Sequence, residues 1–195
     1  FRIAMRDLEI RGAGSILGSS QSGHLSAVGY DMYLKLLDEA VKEERGEVTE
    51  KTEDCLVDVK VDAFIPENYI SNPAQRISCY KRIAMIRNED DAFDVTDELI
   101  DRYGEPPKPV YGLIEVAQIR NMAQQLGITE IVQTKDGINF FTPKPDMQKI
   151  GMLNSQLDGR VNLNLAGKVC FKIAPKKDET PLGLMRTVLE DMVKE

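Results

Sequence analysis

The stretch RDLEIRGAGSILGSSQSG, Arg6 to Gly23, holds the residues best suited to chemistry. Arg6 and Arg11 offer planar guanidinium forks. Gly12, Gly14, Gly18 and the serines around them let backbone amides approach a ligand closely. Gln21 and Ser22 add side-chain hydrogen bonds. Such a set fits contact with a phosphate backbone. The same residues fit helix caps, turns and a solvated arginine face, and spacing alone leaves both readings open.

Other chemistry finds little support in the residue pattern. No glycine run ends in Gly-Lys-Ser or Gly-Lys-Thr, so there is no nucleotide-binding P-loop. The Gly-x-Gly of RGAG follows a helix-like run rather than a strand, against a dinucleotide fold. No Gly-x-Ser-x-Gly elbow occurs, and His24, the one histidine, has no evident catalytic partners. Cys55, Cys79 and Cys170 are too far apart for a zinc site and read as reduced, buried thiols. No catalytic residue and no metal ligand is assigned.

The elements that position these residues fall into two regions. A short helix carrying Ile3, Ala4 and Leu8, a loop through Gly23 and a helix over about 25–44 make a helical hairpin, residues 1–45. Residues 46–54, GEVTEKTED within a wider acidic run, read as a linker. Residues 55–195 read as an α+β domain, its helices packed on a mainly antiparallel sheet. CLVDVKVDAFIP alternates like one strand ended by Pro66. Asn72 and Pro73 start a helix whose apolar side holds Ile77, Tyr80, Ile83, Ala84 and Met85. A second helix, 91–103, is expected to turn Phe93, Leu99, Ile100 and Tyr103 inward before Gly104 and two prolines stop it. A third spans about 109–126. Asp136-Gly137 and Ala166-Gly167 mark hairpins on either side of a short helix over about 146–157, and Thr180 caps a last helix.

The net charge is -7 over 195 residues, with 42% hydrophobic and 29% charged residues, the balance of a soluble globular protein. The acidity argues against nonspecific nucleic-acid binding by the whole chain. Up to Lys35, however, Arg2, Arg6, Arg11 and Lys35 outweigh Asp7, Glu9 and Asp31, so a local contact stands. No apolar run is long enough for a bilayer and no signal-peptide pattern opens the chain, so no membrane partner is expected. The start at Phe1, in what reads as mid-element, suggests a piece of a longer protein.

MRDLEIRGAGSILGSSQSGHLSAVGYDMYLKLLDEAV, Met5 to Val41, closely resembles the translocation motif shared by bacterial transcription-repair coupling factors and the RecG helicase. FIPENYI, RISCYKRIA and ELIDRYGEPP resemble the C-terminal domain of the coupling factors, which RecG lacks. The resemblance implies a non-catalytic C-terminal part of a cytoplasmic, ATP-dependent DNA translocase of transcription-coupled nucleotide-excision repair. Arg11 and Gln21 then couple ATP hydrolysis to movement on duplex DNA, with Arg6, Gly12 and Gly14 shaping the hairpin. ATP and magnesium belong to the motor of the parent protein, and none is expected in this chain. The 55–195 domain would dock on a UvrB-like module of the same protein and mask the surface that recruits UvrA, an autoinhibition. RNA polymerase and UvrA would be met through other domains. Glu98 and Asp101, on the polar side of the DELIDRYG helix, are the candidates for the docking face. Two other classes remain: a free-standing DNA-binding module, and a small domain with hydrolytic activity of its own. Leu25, Met32 and Leu36 of the hairpin could also drive self-association.

Overall fold

The computed structural model describes residues 55–193. The hairpin expected over 1–45 and the linker over 46–54 lie outside the described residues. Within them run β1 (Leu56–Asp58), α1 (Pro73–Ala84), α2 (Glu89–Tyr103), α3 (Lys108–Gln125), β2 (Glu130–Thr134), β3 (Gly137–Phe141), α4 (Met147–Gln156), β4 (Val161–Asn164), β5 (Cys170–Ile173) and α5 (Pro181–Val193).

The strands form one sheet in the order β1-β2-β3-β5-β4, antiparallel except for the parallel β1–β2 pair. Lys135 and Asp136 make the two-residue turn between β2 and β3, and Gly137 opens β3 opposite Thr134. A side chain at Gly137 would collide with the Ile173 carbonyl, its Cβ 2.5 Å from that oxygen. Val57, Ile131, Phe140 and Phe171 share one row of the pleat by register and face the helices. Phe140 and Phe171 stack at 4.8 Å between ring centroids. Asp58, Asn139, Lys172 and Asn162 fall on the opposite, polar face.

The helical half has its own core. Ile65, Ile70, Tyr80, Ile83, Val95, Leu99, Val110 and Ile114 are buried together. Asn72 caps α1, its side chain accepting from the amides of Ala74 and Gln75 at 2.9 and 3.1 Å. Thr180 caps α5, its hydroxyl accepting from the Gly183 amide at 3.1 Å.

Three expectations change. The strand read from 55 to Pro66 is only Leu56–Asp58. Beyond it the chain leaves the sheet, turning where the Val61 amide meets the Val59 carbonyl at 3.2 Å, and runs over α3 with Val59, Ala63 and Ile65 buried. There the Phe64 amide donates to the Pro109 carbonyl at 3.2 Å. Gly112 permits the approach, since a Cβ there would lie 2.8 Å from the Asp62 carbonyl oxygen. Next, Met85 is not inward: it caps the C-terminal end of α1 and is exposed, while Arg76 in the first turn is buried. Its guanidinium donates to the Ile70 and Ser71 carbonyls. Finally, α2 begins at Glu89 and buries Ala92, Val95 and Leu99, leaving Phe93 and Ile100 outward, 67% and 40% exposed.

One ion pair ties the sheet to the last helix. Arg160 donates to both Glu179 carboxylate oxygens, at 2.8 and 3.0 Å, and the Lys176 amide adds a third bond at 2.7 Å. The Arg160 guanidinium holds the Glu179 carboxyl below its ordinary value. A lowered folded-state value means stability present above the unfolded carboxylate range and lost as pH falls through the folded value. Glu179→Gln should cost about 1–2 kcal/mol at pH 7 in urea unfolding. The gap to wild type should close below a pH of about 4. A gap that persists into acid would show that the carboxylate charge is not its source.

Candidate docking interface

Helix α2 is built to stand as an acidic rod on the helical core. Asn88 starts it, its side chain accepting from the Asp91 amide at 2.7 Å, while the Asp91 carboxylate accepts from the Arg87 amide at 2.9 Å. Glu89, Asp90 and Asp91 in the first turn suit the positive end of the helix dipole, and Arg102 in the last turn suits the negative end. Gly104, at a φ of 82°, ends the helix and returns its amide to the Ile100 carbonyl at 2.9 Å.

The face opposite Ala92, Val95 and Leu99 carries Phe93, Asp97, Ile100 and Asp101, spaced i, i+4, i+7 and i+8. All four are exposed. Asp94, Asp97 and Asp101 have no hydrogen-bond or ion-pair partner among the described residues. Glu98 differs. It lies on the flank of this face, toward α1. One of its oxygens accepts from the Arg102 guanidinium at 2.8 Å, and the other lies 3.6 Å from Nε of Arg82 on α1. Arg102 also stands over the Tyr103 ring at 5.0 Å, and the bond to Glu98 raises its pKa further.

Beside Glu98 a cleft of about 250 Å³ opens between α1 and α2, with Val95 and Leu99 as its apolar wall and Cys79 at its base. The Cys79 thiol lies 4.0 Å from the Tyr103 hydroxyl. Burial pushes its pKa up, against the opposing pull of that contact and of Arg102, which favours the protonated thiol. Cys55 and Cys170 are likewise buried and form no disulfide among the described residues.

Glu98 and Asp101 thus sit on one exposed helix surface, one bridged and one unpaired. Phe93 and Ile100 share the outward face with Asp101, and Arg82 of α1 meets Glu98 on the flank; none of the three was expected there. The signal was the i, i+3, i+7 spacing of Ala92, Val95 and Leu99, which makes the inward stripe and leaves Phe93 off it. Arg6, Arg11, Gly12, Gly14 and Gln21 lie outside the described residues.

The three motifs of this half converge behind the surface. The Tyr80 hydroxyl of RISCYKRIA accepts from the Ile65 amide of FIPENYI at 2.7 Å. The Tyr69 hydroxyl of FIPENYI donates to the Gly104 carbonyl of ELIDRYGEPP at 2.8 Å, and burial pushes its pKa up to about 12. Residues 59–152, which hold all three, match the family model of the TRCF domain. The transcription-repair-coupling factor of Bacillus subtilis (strain 168) is 39% identical over 175 residues, 86% of this chain. The chain belongs to the transcription-repair-coupling factor family. The coupling factor of Staphylococcus aureus (strain USA300) is 37% identical over 174 residues, 88% of this chain. This coupling-factor chain spans only 15% and 14% of the length of those two relatives. Its fold matches a solved structure, the crystal structure of C-terminal domain of transcription-repair coupling factor, with a TM-score of 0.64 at 19% identity. That match covers 72% of this chain and 92% of the other.

Glu98, Arg82 and Arg102 are all partly exposed, so the coupling-factor fold does not rest on their ion pairs. Glu98→Gln should lower stability in urea by no more than about 1 kcal/mol. A larger loss would make Glu98 a fold determinant rather than a surface group.

Proposed function

We propose that this chain is the regulatory C-terminal part of an ATP-dependent DNA translocase of transcription-coupled repair, acting in the cytoplasm. Its α+β domain docks on a basic, UvrB-like module of the parent protein and masks the surface that recruits UvrA. The observation that carries this is the outward face of α2, where unpaired Asp97 and Asp101 lie beside the exposed Phe93 and Ile100. Apolar anchors rimmed by charge of one sign suit a partner face of the opposite sign. The helical hairpin, through Arg11 and Gln21 with Arg6, Gly12 and Gly14 beside them, couples motor to duplex DNA. ATP and magnesium, like RNA polymerase, are engaged by other parts of the parent.

The docking reading is tested by titrating the full-length protein with UvrA. UvrA sees only the open fraction, so a mutation that loosens docking strengthens apparent binding. Asp101→Lys should tighten UvrA binding roughly fivefold or more. Unchanged affinity would remove this face from the masking contact. For the hairpin, Arg11→Ala in the full-length protein should leave DNA-stimulated ATP hydrolysis near wild type and abolish translocation in a triplex-displacement assay. Translocation at a near wild-type rate would exclude Arg11 from coupling.

A further inference from the structure

We propose that Arg82 and Arg102 are built-in competitors of the docking partner. They hold the Glu98 carboxylate in a bridged ion pair and so compete with a cationic side chain of the partner for its charge. The inference rests on the docking reading above and adds what sets the strength of that contact.

One Glu98 oxygen accepts from Arg102 on its own helix at 2.8 Å, and the other lies 3.6 Å from Nε of Arg82 on α1, close enough to share its charge. Asp97 and Asp101, on the same helix, have no such partner among the described residues. A basic surface therefore meets Asp97 and Asp101 with their charge free, but meets at Glu98 a charge already shared by two guanidinium groups. The cleft beside Glu98 gives the incoming group a seat. Its Val95 and Leu99 wall suits the methylene stem of an arginine, and the Ser78 hydroxyl at its edge is a further acceptor. Exchange replaces one guanidinium by another at the same carboxylate, so it adds little attraction. It also leaves Arg82 and Arg102, about half exposed, facing the newcomer with like charge. The two arginines thus hold docking below the strength that the acidic face alone would give. That keeps the contact breakable when the parent protein moves.

The opposite assignment, in which the arginines grip an acidic group of the partner, predicts the reverse sign. Apparent affinity of the full-length protein for UvrA reads the difference, because it scales with the open fraction. Removing both competitors with Arg82→Gln and Arg102→Gln should strengthen docking and weaken UvrA binding by about threefold or more. Adding Glu98→Gln should erase that effect, since no carboxylate then remains to be released. A merely more acidic domain would keep the effect in the Glu98→Gln background, and that result would overturn the proposal. So would unchanged or tighter UvrA binding in the double variant. Asp101→Lys separates the two levels. If it tightens UvrA binding while the arginine variant does nothing, docking stands and the competition falls. If it also fails, both fall.

Discussion

Helix α3 has to be apolar on two sides at once, and the rest of the domain is arranged around that demand. Val116, Ile119 and Ala123 enter the core beneath the sheet, while Val110, Ile114 and Ala117 enter the helical core. Leu113 packs against both. A helix buried on opposite sides shows little amphipathic stripe, and its stability comes from tertiary packing more than from propensity. It also needs a place where another backbone can cross it closely, which Gly112 supplies beneath Asp62. Loss of that crossing would free the 59–65 segment and with it the Ile65 amide that meets Tyr80.

From α3 the order passes outward to α2. Tyr69 bonds the carbonyls of Leu99 and Gly104, fixing the end of α2 against the segment that precedes α1. The buried side of α2 is small, holding only Ala92, Val95 and Leu99. A helix held along so narrow a strip shows most of its circumference to solvent. That is why it can display carboxylates, an aromatic ring and an aliphatic side chain together.

Much of this was legible in the residues. The caps at Asn72 and Thr180, the turn before Gly137 and the α+β class with mainly antiparallel pairing follow from local chemistry that tertiary packing did not override. Phe93 and Ile100 were misread because hydrophobicity predicts burial and does not say against what. The first strand was read too long because alternation reports which side chains are buried, whereas a strand also needs a hydrogen-bonding neighbour. Val59 to Ile65 find their cover on a helix. At the surface, Glu98 and Asp101 could be placed on a polar helix face from periodicity alone. That Arg82 reaches Glu98 from another helix could not, since no spacing rule joins two elements across a turn.

The parallel pairing of β1 with β2 has a consequence for how the domain is made. Strands β2, β3, β4 and β5 are near neighbours in the chain and can zip together among themselves. β1 cannot: Leu56 finds Glu130 only after the three helices between them have been laid down. On a ribosome β1 therefore waits, its edge open, until β2 has left the exit tunnel. Three residues are a short strand to leave waiting, and brevity limits what such an open edge can recruit in the interval.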